Sequence, residues 1–166
     1  MGEDTERRED LTLAGDAFMA RVDGVLDPAY RLATVILLDY DAAERAVHDA
    51  TLRAWDLYRR LGGEVTSFRT WFLGIVVRRS RWSRRWRTLT LRPGGRDLDG
   101  SPAMRAVLGQ LPAVSRAALF CNVCLELPMD EVARILGMSL GRARTRAYRA
   151  GSKVQAALQR EEESAP

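Results

Sequence analysis

The chain has 166 residues and a net charge of +4, from 26 Lys or Arg against 22 Asp or Glu, with one histidine and two cysteines. That length gives room for one ordinary domain or two small ones. It holds no apolar run of membrane-spanning length and too few His and Cys for a zinc-ligand set. MGEDTERRED at the N-terminus carries both signs of charge where a secretory signal would be apolar, so a cytoplasmic protein without metal or membrane insertion is expected.

The spacing of apolar residues is helical almost throughout, and no segment alternates as a strand does. Residues 1–13 are too polar to be ordered. Asp16 to Leu26 reads as a first helix; Asp27 and Pro28 supply a cap and a first-turn proline that restart the chain as a second helix to about Leu38. After a break at Asp39 to Asp41, a helix from about Ala42 to Arg60 turns Ala43, Val47, Ala50, Ala54 and Leu57 toward a core. Its outward face carries Arg45, His48, Asp49, Leu52, Arg53 and Asp56, and the leucine there fits either a partner contact or an isolated exposed side chain. Gly62 and Gly63 end this helix, and a short polar loop runs through Ser67.

FRTWFLGIVVRRSRWSRRWR starts apolar and ends in arginines (Arg78, Arg79, Arg81, Arg84, Arg85, Arg87) around Trp82 and Trp86. Guanidinium groups neutralise phosphate and flat rings stack on unpaired bases, so this end reads as a nucleic-acid contact, while Trp71 reads as core. In RTLTLRPGGRDLDGSP, prolines and glycines interrupt the pattern without apolar residues to build a core, which marks a linker. Charge separates the two sides: up to Leu57 acidic side chains outnumber basic ones 13 to 6, and from Tyr58 on basic outnumber acidic 20 to 9. An acidic leading surface beside a basic remainder suits one cationic and one polyanionic partner.

Beyond the linker come helices from Met104 to Gln110 and from Ala113 to Leu125. The second contains Cys121 and Cys124, spaced i and i+3 in an apolar run, and both are expected to be buried as small apolar side chains rather than to serve redox or metal chemistry. Then MDEVARILGMSLGRARTRAYRAG carries the densest signal in the chain. Val132, Ala133, Ile135 and Leu136 stripe a short helix that Gly137 stops, and Ser139 caps the next. There Ala143, Ala147 and Ala150 share one side and Arg142, Arg146 and Arg149 another. A short helix, a Gly-x-Ser turn and an arginine-studded second helix form a helix-turn-helix whose second helix suits the major groove. The fold expected is all-α: two small helical domains joined by a flexible linker, the second a helix-turn-helix.

With these residues in place, the chain resembles the extracytoplasmic-function family of RNA polymerase sigma factors. DAAERAVHDATLRAW resembles the family's polymerase-binding helix and SFRTWFLGIVVRRSR the helix that follows it; LGQLPAVSRAALF and MDEVARILGMSLGRARTRAYRAG are similar to its fourth-region domain. The resemblance runs from about Ala17 to Leu158 in the family's order. It implies a region 2 domain over 14–87, a linker over 88–102, a region 4 domain over 103–160 and a tail over 161–166. The implied function is that of a specificity subunit, without catalytic residues or cofactor, that binds core RNA polymerase and directs it to promoters.

Carried over by position, Glu44, His48, Asp49, Leu52, Arg53 and Trp55 would dock on the polymerase clamp helices. The loop from Leu61 to Ser67, with Gly63, Glu64 and Ser67, would capture an extruded minus-10 base, and Arg78, Arg79, Arg81, Trp82 and Arg85 would meet the same element. Ser139, Arg142, Arg144, Thr145, Arg146 and Arg149 would read the minus-35 element, and the linker would thread through the polymerase. An anti-sigma protein is a further implied partner. The chain departs from the family's usual residues at His48 and Asp49 (Gln-Glu), at Arg78 (asparagine), at Trp82 (an acidic residue) and at Gly141-Arg142-Ala143-Arg144 (Gly-Thr-Val-Lys). Apart from the resemblance, a helix-turn-helix regulator that binds DNA without serving polymerase fits the second half equally well.

Overall fold

Seven helices make up the described structure: α1 (Gly2–Leu37), α2 (Tyr40–Arg60), α3 (Phe68–Thr90), α4 (Pro102–Gln110), α5 (Ala113–Val123), α6 (Met129–Leu136) and α7 (Leu140–Ser164). The computed structural model describes residues 2–90 and 102–164, with side chains for 12–82, 105–160 and 163. The all-α expectation holds, with no strand among the described residues. The expected linker falls mostly on 91–101, outside the described residues, and α3 runs on to Thr90.

The two helices expected on either side of Pro28 are one. α1 runs through the proline, from Gly2 within the stretch expected to be disordered. A proline inside a helix removes one backbone donor and crowds the preceding turn, which costs about 3 kcal/mol. Packing outweighs that cost: Phe18, Val22, Val25, Ala29, Leu32, Ala33 and Ile36 are all buried on one face, on both sides of the proline. Each large side chain withdrawn from water contributes about 1.5–3 kcal/mol, and a break at Asp27 would swing half of them off the core.

The chain then turns sharply. Leu38 takes a left-handed conformation (φ 56°), unusual for a residue with a side chain, while its N–H donates to Thr34 O at 2.7 Å. Asp39 follows as the cap of α2, its carboxylate accepting from Ala42 N at 2.7 Å. α1, α2 and α3 pack on one another, α5 packs along α7, and α6 lies against both. These two groups do not stand apart. α1 contacts α5 and α3 contacts α6, and one buried cluster passes from Phe72, Leu73 and Val76 into Ala117, Cys121, Val132 and Ile135.

Candidate nucleic-acid interface

The turn between α6 and α7 is closed by backbone geometry. Gly137 sits at φ 63°, ψ 46°; its N–H donates to Arg134 O at 3.2 Å and the Met138 N–H to Ala133 O at 3.0 Å, which satisfies the last carbonyls of α6. The Ser139 carbonyl accepts the first bond of α7, from Ala143 N at 3.0 Å. Val132, Ala133, Ile135 and Leu136 on α6 and Ala143, Ala147 and Ala150 on α7 are buried, which leaves the opposite side of α7 to solvent. Ser139, Arg142, Arg144, Thr145 and Arg149 are exposed there, and Arg146 is half-buried.

Arg142, Arg146, Arg149 and Lys153 line an open groove of about 430 Å³, with Leu111 and Pro112 of the α4–α5 turn and Ser115 of α5 also in its lining. No carboxylate enters the lining, so the groove holds cationic side chains beside a helix N-terminus, a combination that favours anions. The Thr145 hydroxyl donates back to Gly141 O at 2.9 Å, which fixes the side chain's orientation. Tyr148, passed over in the sequence, is 78% exposed on this helix, one turn beyond Arg144. Its spacing from Arg144, four residues, is the signal that would have found it.

In the first group of helices, an aromatic cluster positions the loop after α2. Phe18 lies 5.2 Å from both Trp55 and Tyr58, ring centre to ring centre, and 5.9 Å from Phe68. The Arg21 guanidinium sits 4.9 Å over the Phe68 ring and reaches the Gly63 and Val65 carbonyls at 3.5 and 3.3 Å. Gly63 needs to be glycine twice over: its φ is 80°, and a Cβ would stand 3.3 Å from the Tyr58 hydroxyl. Glu64 and Ser67 are exposed, and Ser67 Oγ pairs with Thr70 Oγ1 at 2.9 Å.

The loop opens on a groove of about 410 Å³ whose lining includes Leu61, Glu64, Ser67, Thr70, Trp71 and Arg78. Trp71 is thus only half-buried and borders this groove as well as packing 5.5 Å from Phe68. Arg78 also borders a second groove, with Arg53, Arg79 and Trp82. Trp82 is 58% exposed and Arg81 lies on the surface beside it, so the aromatic and cationic side chains expected together at this helix end are together. Arg85, with Arg84, Trp86 and Arg87, lies outside the residues whose side chains are described.

Five of the six residues expected to meet polymerase, Glu44, His48, Asp49, Leu52 and Arg53, are exposed on α2, Leu52 at 56%. Trp55 turns inward to the aromatic cluster, half-buried, with the Arg59 guanidinium 5.5 Å over its ring. The cysteines also divide. Cys121 is fully buried, and burial pushes its thiol up to about 12. Cys124, expected to be buried, is exposed, because α5 stops at Val123 and Cys124 caps it. Among the described residues there is no group of three or more metal-ligating side chains, and no helix is long and apolar enough to cross a membrane.

Residues 102–154 match the family described as sigma-70, region 4. This segment is similar to sigma-70 region 4. The match takes in α4, the α6–α7 turn and the whole exposed arginine stripe. A search of curated proteins by sequence found no match. Among solved structures, the sigma factor RpoE of Bartonella quintana, in complex with the anti-sigma factor NepR, shares the fold at a TM-score of 0.69 and 22% identity. That alignment covers 86% of this chain and 97% of the other. CnrH, in complex with the cytosolic domain of CnrY, aligns at 0.66 and 22% identity over 87% of this chain and 89% of its own. The resemblance to the extracytoplasmic-function sigma factors is borne out, in sequence over region 4 and in fold over nearly the whole chain.

Proposed function

We propose that this protein is an alternative sigma factor of the extracytoplasmic-function type, a non-catalytic subunit that binds core RNA polymerase in the cytoplasm and directs it to specific promoters. The observation that carries the reading is the exposed arginine face of α7 inside a segment that is similar to sigma-70 region 4 by sequence. In this reading α7 enters the major groove of the minus-35 element. Arg142 and Arg144, near its N-terminus, reach base edges, while Arg149 meets phosphate, and Tyr148 adds apolar contact on the same face.

The domains follow the resemblance: region 2 over 14–87, region 4 over 103–160, and the intervening linker threaded through the polymerase. The loop from Leu61 to Ser67 takes an extruded minus-10 base. Extrusion costs a few kcal/mol, which a pocket bordered by Trp71 and Arg78 offsets by stacking and charge. The outward face of α2 docks on the polymerase clamp helices through Leu52, flanked by Asp49 and Arg53. An anti-sigma protein is a further partner, as NepR is of the structural neighbour RpoE.

Run-off transcription with core polymerase and genomic promoter fragments tests the proposal. Discrete transcripts that need this protein support it; core polymerase giving the same products with and without it removes it, and leaves a DNA-binding regulator.

A further inference from the structure

Both departures on α3 from the residues usual in the sigma-factor family fall in one place. Arg78, in place of asparagine, and Trp82, in place of an acidic residue, line a single open groove of about 420 Å³ where α2 and α3 meet, with Arg53, Leu57, Ile75 and Arg79. Arg53, placed by the resemblance on the polymerase face of α2, thus stands with the cations of α3. The apolar part of the lining is Ile75, buried, and Leu57, half-buried. Trp82 is 58% exposed. No carboxylate among the described residues lines the groove.

Elsewhere on these helices arginines are paired. Arg31, Arg59 and Arg134 each meet an aspartate one turn away, at 3.7, 3.5 and 2.8 Å. Among the described residues no ion pair or hydrogen bond engages Arg53, Arg78 or Arg79. A cleft lined by one sign of charge concentrates the opposite one, and guanidinium forks match phosphate oxygens in pairs. The amount of charge distinguishes the ligand. A nucleotide within a strand brings one phosphate charge, too little for three guanidiniums, whereas a free polyphosphate chain brings several in a row. The attached base supplies a flat ring for the indole to stack on. The volume of the groove, about 420 Å³, lies within the roughly 300–1,000 Å³ of small-ligand sites.

We propose that this groove binds a free nucleoside triphosphate, its base stacked on Trp82 beside Leu57 and Ile75 and its phosphates held by Arg53, Arg78 and Arg79. The site goes beyond the reading as a polymerase subunit and does not depend on it. Arg78 also borders the groove of the 61–67 loop, so a bound nucleotide occupies one of the cations that an unpaired strand there would meet.

The test uses the full chain and adenosine triphosphate carrying a fluorophore on its ribose, with binding read by anisotropy. Unlabelled adenosine triphosphate should displace the probe, whereas adenosine and tripolyphosphate, each holding half of the ligand, should compete at least about tenfold more weakly. Trp82→Ala and Arg53→Gln should each weaken probe binding by about tenfold. Trp82→Phe keeps a ring and should retain most of the affinity. Arg45→Gln removes the same charge from an exposed position on α2 and should leave binding within about twofold of wild type. Circular dichroism checks that every variant stays helical. Equal loss in Arg45→Gln, or tripolyphosphate matching the triphosphate, would show a general attraction of anions and overturn the site. So would a chain that binds a labelled twelve-nucleotide single strand through Trp82 but no adenosine triphosphate, a result that leaves these side chains to the minus-10 strand.

Discussion

The two surfaces suited to DNA differ in what holds them. The arginine face of α7 is built locally, from a left-handed Gly137, four buried apolar residues of α6 and three alanines of α7 within about twenty residues of chain. The groove of the 61–67 loop is built from three places: the glycine turn after α2, the head of α3 and a border contributed by Arg134 of α6. A surface made by one stretch of chain remains when its neighbours move. One assembled from several stretches depends on them.

The largest expected effect is where the two groups of helices meet. Arg116 of α5 is buried and donates to the Leu108 and Leu111 carbonyls and to Val35 O and Ile36 O of α1. Arg116→Met removes the guanidinium and leaves four carbonyls short of a donor, so urea unfolding should show a loss of about 3–5 kcal/mol. An Arg116→Met protein with wild-type stability would mean that these bonds are dispensable and that the two surfaces are independent.

Next in size is minus-35 binding. Arg142→Ala should weaken duplex binding by about 1–3 kcal/mol and relax preference at one base pair, whereas Arg149→Ala should weaken all sequences alike and lower the salt dependence by about one charge. Site selection at two salt concentrations separates them. A sequence shift from Arg149→Ala alone would show that α7 docks in another orientation.

A smaller loss should follow in the loop. Gly63→Ala strains a backbone at φ 80° and crowds the Tyr58 hydroxyl, at a cost of roughly 1–2 kcal/mol in thermal or chemical unfolding. Duplex binding through α7 should be untouched, and a parallel loss of duplex affinity would tie the two surfaces together more tightly than the contacts between the two groups of helices suggest.

The smallest effect is chemical. At pH 8 a thiol reagent should titrate one cysteine quickly, Cys124, and the second only on unfolding. Cys121 keeps its proton in the fold to about pH 12 but loses it near 9.0 when exposed, so the folded form binds more protons between those values. Stability should therefore fall as pH rises from about 9 toward 12; rapid labelling of both thiols at pH 8 would place Cys121 at the surface.

Structure that follows from neighbours in the chain is legible in the sequence. The stop at Gly137, the alanine face of α7 and the clustering of Trp82 with Arg78 and Arg79 all follow from period and turn chemistry, and each is present. Pro28 misled because its cost is local and the compensation is not: the burial that carries α1 through it comes from α2 and α3. Cys124 escaped burial because the helix stopped two residues early, within the usual uncertainty of a helix end. Arg116 could not be read at all. It looks like one surface arginine among many until α1 arrives from 80 residues upstream with two carbonyls, and no local pattern announces that. Trp55, placed at the polymerase face by resemblance, proves to be held by Phe18 and Tyr58.

The claim that the protein is a polymerase subunit is tested most directly by titrating the full chain against core RNA polymerase, with Leu52→Ala/Asp49→Arg in parallel. The account predicts a stable one-to-one complex, weakened by the double substitution while helicity is unchanged. Tight duplex binding with no complex at any core concentration would contradict it.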